Sequence, residues 1–194
     1  MIPASSGTQE MVDLEPQQHA GLINAFDGLI DDLNVLVTDT AVGIFGSVIS
    51  LVRASQEALR VVCDEPSLIT CAYVFIKNLL TDHGVSHFPV VADVTRSPVE
   101  GQNLFRLLES VTSRFLDVGL IYACEIPFNE FLRKSVKRQR VSVGAFTGRK
   151  SYIAYRKLSK DLPSGRLKFF VERLVSKPAG TWLGGEDCNL RRDD

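Results

Sequence analysis

The stretch Val35–Gly43, a short apolar run that ends in an acidic residue and a glycine, constrains the fold more than any other part of the chain. It reads Val-Leu-Val-Thr-Asp-Thr-Ala-Val-Gly. Buried parallel strands have continuous apolar runs of this kind, and α/β proteins bind ligands at the carboxyl ends of such strands. The run therefore predicts a strand that carries Asp39 to that edge, followed by a loop in which Gly43 allows close approach to a ligand. A buried strand that ends in an ordinary Asp turn is the alternative.

Strand-like runs and amphipathic helices alternate along the chain. The predicted strands are residues 33–39, 58–62, 88–94 and 118–124. The predicted helices are residues 16–31, a short helix capped by Ser47, one capped by Ser67 and ended by Gly84, one opened by the capping box Ser97–Glu100, and residues 129–137 and 149–160. The helix after Ser97 is expected to turn inward Leu104, Leu107, Leu108, Val111 and Phe115. This alternation predicts a parallel sheet with right-handed crossovers.

The 194 residues, of which 45% are hydrophobic, fit one globular domain, or one such domain with an appendage. No apolar run approaches the roughly 20 residues that a membrane span needs, and no secretory signal is visible at the N-terminus. Cys63 and Cys124 lie in strand-like runs, and the four cysteines form no CxxC pair. We therefore expect buried, reduced thiols in a cytoplasmic protein, with neither disulfides nor zinc.

Charge is distributed unevenly. Residues 1–130 contain 17 acidic and 6 basic side chains, whereas residues 131–160 contain 10 basic and no acidic ones. The basic block has three interpretations: a solvated surface, a patch for DNA or anionic lipid, or a docking face for an acidic protein. The sequence contains none of the modules that read nucleic acid sequence, so sequence-specific nucleic acid binding is not expected.

The segment Arg166–Lys177 has the spacing of an amphipathic helix. Its apolar residues Leu167, Phe170, Val171 and Leu174 share one helical face. The prediction is therefore a helix, either packed on its own domain or lying as an anchor in a membrane surface.

Together, several stretches resemble the MinD/ParA-type ATPases, and specifically the flagellar-number regulators called FlhG or FleN. The matching stretches are Val35–Gly43, Val61–Ser67, Ala72–Lys77, Phe115–Val118, Ile126–Pro127, Arg133–Arg140 and Phe169–Val175. The resemblance implies an α/β, parallel-sheet, P-loop-NTPase-like fold. It divides the chain into a partial MinD-like domain (residues 1–160), an amphipathic C-terminal helix (161–178) and a disordered tail (179–194).

The chain also departs from the family pattern. Family members open with a strand and a Lys-Gly-Gly-x-Gly-Lys-Thr loop that cradles phosphates, and this signature does not occur in the sequence. Gly46, Cys71 and Asn129 stand where the family usually has Asp, and Asp93 stands where it has Asn. We therefore expect a fold that lacks the N-terminal strand and phosphate loop, with ATP hydrolysis lost and Mg-ATP binding weak.

The resemblance also assigns roles to four residues. Asp39 would hold Mg²⁺, Gly43 would sense the γ-phosphate, and Asp93 and Pro127 would lie near the base. In the family, the strand that precedes the phosphate loop lies beside the strand that ends at Asp39. Without it, we expect an unpartnered strand edge that lowers stability or promotes association, including homodimerisation.

The function predicted from the resemblance is regulation of flagellar number and flagellar gene expression by protein binding. The partner would be a flagellar transcriptional activator or a full-length MinD-like relative, and the location would be the cytoplasm, with peripheral binding to the inner face of the cell membrane. Three alternatives remain open. They are a working ATPase whose phosphate loop lies outside this chain, a protein of membrane or DNA surfaces that acts without nucleotide, and a gene fragment with no function of its own.

Overall fold

The computed structural model of the chain describes residues 15–28, 35–40, 46–130, 150–161 and 167–173. Its elements are α1 (Pro16–Gly28), β1 (Val35–Thr40), α2 (Gly46–Arg53), β2 (Glu57–Val62), α3 (Pro66–His83), β3 (His87–Thr95), α4 (Pro98–Phe115), β4 (Gly119–Pro127), α5 (Lys150–Asp161) and β5 (Leu167–Arg173). The predicted alternation of strands and helices is confirmed for these residues. The basic helix predicted at 129–137 and the tail 179–194 lie largely or wholly outside them.

Five parallel strands form one sheet in the order β1-β5-β2-β3-β4. The last of the described strands, β5, lies between the first two of them. Val171 at its centre is paired with Asp39 of β1 on one side and with Leu59 of β2 on the other. The described part of β1 is therefore joined to the rest of the sheet through β5.

The prediction of an amphipathic helix in the C-terminal segment is wrong, because Leu167–Arg173 forms a strand. This strand is paired with one edge of β1, and β1 lies at the end of the described sheet, so its other edge has no partner among the described strands. The run Phe-Phe-Val is rich in residues that favour strands, and two flanking ladders offer it backbone hydrogen bonds on both sides. Tertiary pairing thus overrides the helical spacing. Residues 174–177 lie outside the described part of the chain.

One face of the sheet packs against α2, α3 and α4 and contains the larger core. Its buried residues include Val48, Val52, Val62, Phe75, Ile76, Leu79, Phe88, Val90, Leu104 and Leu108. Gly101 lets α4 approach β4 closely, because a Cβ atom there would lie 2.8 Å from the Cβ atom of Glu125 and 2.9 Å from the hydroxyl oxygen of Tyr122. This face therefore fixes α4 against the carboxyl half of β4.

The other face packs against α5 at the β4 side of the sheet. The buried residues there are Leu59, Val61, Val91, Cys124 and Ile126, with Ala154, Tyr155 and Leu158 of α5 packed on them. Cys63 and Cys124 are buried, as predicted. On the same face, Val35 and Val37 of β1 remain 42% and 58% exposed.

The helix boundaries show which local signals in the sequence were decisive. The Ser97 hydroxyl accepts a hydrogen bond from the Glu100 amide (3.2 Å), so this predicted cap is confirmed. Gly84 ends α3 in the left-handed conformation (φ 69°), also as predicted. Ser67 is not a cap, because α3 begins one residue earlier, at Pro66, whose fixed φ suits a first helical position.

Three other details of the helices differ from expectation. Ser47 lies inside α2, which begins at Gly46. Leu107 and Phe115 were expected inside but are 46% and 64% exposed. The sheet is contacted by a narrower stripe of α4, centred on Leu104 and Leu108, than the apolar pattern indicates. Within the described residues, no helix is both long enough and apolar enough to span a membrane.

Candidate functional site

Three of the four predicted site residues lie at the carboxyl edge of the sheet. Asp39 is next to last in β1, Asp93 is near the end of β3, and Pro127 ends β4. This placement is what parallel strands dictate, because their carboxyl ends meet at one edge. The fourth, Gly43, lies outside the described residues.

The edge separates the residue predicted to hold the metal from those predicted to lie near a base. Asp39 on β1 and Asp93 on β3 are three strand positions apart, which at the usual spacing of about 4.8 Å puts them at least roughly 14 Å apart across the sheet. The register also places Asp93 further along its strand than Asp39. Asp93 and Pro127, by contrast, lie on adjacent strands, and Pro127 is paired with Thr95. The structure therefore brings Asp93 and Pro127 together, with Asp39 at a distance.

Backbone strain marks the end of β3. Val94 has a positive φ of 60° and lies where the β3–β4 register shifts between Asp93 and Thr95. A β-branched residue in the left-handed region costs on the order of 1–3 kcal/mol, and such strain concentrates at ligand sites. The buried Asp93 carboxylate accepts a hydrogen bond from the Val94 amide (2.9 Å), which holds this turn.

The end of β4 is fixed by contacts to β3 and α5. The Phe128 amide donates to the Thr95 carbonyl (2.8 Å), which continues the pairing past Pro127. The side chain of Asn129 donates to the Ser151 hydroxyl (2.7 Å), and Ser151 is 5% exposed at the start of α5. Where the family usually has Asp, this chain therefore uses Asn129 to tie the strand end to the next helix.

A second polar contact lies in the carboxyl half of β4. The Tyr122 hydroxyl donates to the Glu125 carboxylate (2.9 Å) beneath α4. Burial, this hydrogen bond and the charge of Glu125 raise the pKa of Tyr122 above its ordinary value. The hydroxyl is therefore a fixed donor at neutral pH, and this pair braces the strand that carries Pro127.

The centre of the carboxyl edge is taken by β5. Glu172 is paired with Thr40 of β1 and with Arg60 of β2, and Arg173 follows beside Val61. Asp39 is exposed beside this strand, and the carboxylate type suits a hard cation such as Mg²⁺. Within the described part of the chain, no three His, Cys, Asp or Glu residues are grouped as a metal site. Among the described residues, Asp39 is therefore not part of a preformed cluster of metal ligands.

One buried charge escaped sequence analysis. Arg60 is 1% exposed in the middle of β2, and its guanidinium lies over the Phe75 ring, 4.3 Å from the ring centre. The sequence did contain a signal for this residue, because Arg60 is a charged residue inside the apolar run Ala58–Val62. Charged residues are rarely buried without a structural or functional reason. Arg60 is paired in the ladder with Glu172 of β5, the strand that was expected to be part of a helix.

A cleft between α1 and α2 was also missed. This α1–α2 cleft has a volume of about 450 Å³ and is lined by His19, Ala20, Ile23, Ser50, Arg53 and Ala54. His19 is 9% exposed, and its Nε2 atom is buried without a hydrogen-bond partner among the described residues. The two helices come from segments separated by β1, and the packing of α1 and α2 beside β1 brings these side chains together.

Comparison with known proteins gives two informative similarities. The chain is 52% identical over 187 residues to the antiactivator FleN of Pseudomonas aeruginosa, an alignment that covers 92% of this chain and 67% of FleN. It is 24% identical over 142 residues to the flagellum site-determining protein YlxH of Helicobacter pylori, which covers 73% of this chain and 48% of YlxH. No protein-family model matches the chain.

The FleN alignment and the parallel α/β sheet agree with the resemblance that the motifs carry. Identity of this level over nearly the whole chain far exceeds what a shared fold alone produces. The chain belongs to the FleN/FlhG-type family of flagellar-number regulators.

Proposed function

We propose that this protein restrains a flagellar transcriptional activator by binding it directly, and that ATP turnover by this chain is not part of the action. The name antiactivator, carried by a relative with 52% identity, supports a transcriptional activator as the partner. The alternative is competition with a full-length MinD-like relative. That mechanism would not require contact between this protein and the activator.

The observation that carries the second half of the proposal is the position of β5. The family resemblance expects the strand that leads into the phosphate loop beside β1, and here β5 is paired with β1 instead. Its end brings Glu172 and Arg173 to the centre of the carboxyl edge. A phosphate cradle normally provides several charge-assisted hydrogen bonds of roughly 1.5–3 kcal/mol each. With β5 paired beside β1, the described residues next to Asp39 form no such cradle, so Mg-ATP binding by them would be weak.

Three measurements test this function. Titration of the activator into the purified protein should show saturable binding in the absence of nucleotide. Calorimetry with Mg-ATP should show no binding in the low micromolar range, and phosphate release should stay at background. Phosphate release that disappears in an Asp39→Ala variant would refute the proposal and favour a working ATPase.

A second candidate function rests on α5. Its residues Arg156, Lys157 and Lys160 are exposed, and the helix contains no acidic residue before Asp161. A basic helix face of this kind supports peripheral binding to an anionic surface, such as the inner face of the cell membrane. Retention on acidic lipid vesicles that falls with added salt and is absent on DNA would favour the membrane, and the reverse would favour DNA.

A further inference from the structure

The α1–α2 cleft contains a buried polar group that the fold leaves unsatisfied. The Nε2 atom of His19 is buried and has no hydrogen-bond partner among the described residues. Leaving such an atom unpaired is unfavourable, so an occupant with a polar group at this point gains binding energy that water-exposed surface would not provide. The cleft is therefore a candidate binding site rather than a simple packing gap.

The polar groups that line the cleft are mainly hydrogen-bond donors. Arg53, in the last turn of α2, is exposed and carries only donors. The Ser50 hydroxyl donates to the Gly46 carbonyl (2.8 Å), so its hydrogen is already used within the helix. His19 can donate from Nε2 in one of its two neutral tautomers and when protonated. The matching group is an acceptor, and a carboxylate pairs best with a guanidinium.

The remaining walls are apolar. Ala20, Ile23 and Ala54 line the same cleft, whose volume of about 450 Å³ can hold a few side chains. Ile23 also lines the small void where α1 and α2 pack on Leu36 of β1, so the apolar floor is continuous with the core beneath. An occupant with apolar residues next to its carboxylate would fit both kinds of wall.

Charge limits where an acidic partner can bind. Residues 1–130, which include all of α1, α2, α3 and α4, contain 17 acidic and only 6 basic residues. An acidic segment is repelled by most of that surface, and Arg53 is one of the few basic positions on it. Within residues 1–130, complementary charge against a repelling background favours a position beside Arg53; the ten basic side chains of residues 131–160 form a separate basic region.

We propose that the α1–α2 cleft is the docking site for the transcriptional activator and that it receives an acidic side chain flanked by apolar residues of that activator. The inference rests on the proposed function and deepens it, because it names the surface and the chemistry of the partner segment. Arg53 and His19 hold the carboxylate, and Ala20, Ile23 and Ala54 contact the apolar residues beside it.

The test compares activator binding to the full-length protein and to single variants. Arg53→Glu reverses the charge in the cleft, Arg53→Gln removes it, and Ala20→Phe fills the cleft without a change of charge. Arg106→Glu, at an exposed position on α4, is the matched control. Fluorescence anisotropy with labelled activator gives Kd, and thermal unfolding verifies that each variant is folded.

We expect Arg53→Glu and Ala20→Phe to weaken binding about 10- to 100-fold, which is the loss expected for a charge-assisted contact, with a smaller loss for Arg53→Gln. Arg106→Glu should stay within about twofold of the unmodified protein. Unchanged binding by the folded Arg53→Glu and Ala20→Phe variants would refute the α1–α2 cleft as the docking site and leave the proposed function standing. Equal losses in Arg53→Glu and Arg106→Glu would also overturn it, since they indicate a general charge effect. No binding by the unmodified protein would refute both.

Discussion

Replacing Val171 with proline tests whether β5 holds the sheet together. Val171 lies in the middle of β5 and is paired with Asp39 on one side and Leu59 on the other. Proline has no amide hydrogen, so it removes one ladder hydrogen bond worth about 1 kcal/mol. It also leaves a buried carbonyl on a neighbouring strand without its donor, which costs about 1–3 kcal/mol more.

The expected loss is therefore about 2–4 kcal/mol, a large part of the 5–15 kcal/mol that usually stabilises a domain. Val171→Thr is the matched control because it keeps the amide and the branched shape, and it should cost no more than about 1–2 kcal/mol. Urea unfolding followed by far-ultraviolet circular dichroism gives both free energies.

Amide hydrogen exchange locates the damage. Among the described strands, β1 is paired only with β5, so the proline variant should lose protection in β1 as well as in β5. Protection in β3 and β4, which are paired with each other, should persist longest. Equal stability of the proline and threonine variants, with hydrogen-exchange protection of β1 unchanged, would refute the pairing of β5 between β1 and β2.

Three further predictions concern α4 and β4. Gly101→Ala should destabilise the protein by about 1–2 kcal/mol in urea unfolding. The new Cβ atom would lie 2.8 Å from the Cβ atom of Glu125, and the cost of this collision exceeds the gain in helix propensity of about 1 kcal/mol. A stabilised variant would show that α4 can move away from β4. The raised pKa of Tyr122 means that its contribution to stability is complete below the ordinary tyrosine value of about 10 and is lost as the pH rises above it. Unfolding free energy should therefore fall more steeply above about pH 10 in the unmodified protein than in Tyr122→Phe; parallel curves would contradict this. Ser97→Ala should cost about 1 kcal/mol in thermal unfolding through loss of the cap on the Glu100 amide, whereas an unchanged midpoint would mean that water replaces it.

The parts of the fold set by local pattern were predictable. The strand that carries Asp39 and the cap at Ser97 depend on residues close in sequence, so apolar periodicity and capping chemistry located them. The family resemblance implied that Asp93 and Pro127 lie near one base, and the parallel sheet puts them on the ends of adjacent strands.

The parts that depend on distant segments were not predictable in the same way. Leu167–Arg173 is short, and its apolar residues fit both a helical face and a strand. What decides between them is the pair of ladders offered by β1 and β2, more than 100 residues earlier in the chain. The α1–α2 cleft depends likewise on how two helices pack, so the proximity of His19 and Arg53 has no sequence signal.

Calorimetric titration of the flagellar transcriptional activator into this protein, first without nucleotide and then with Mg-ATP, shows whether the protein binds the activator independently of ATP. We predict saturable binding with a Kd of about 1 μM or tighter, changed by no more than about twofold when Mg-ATP is present. Absence of binding, or binding that begins only when Mg-ATP is added, would contradict the proposed function.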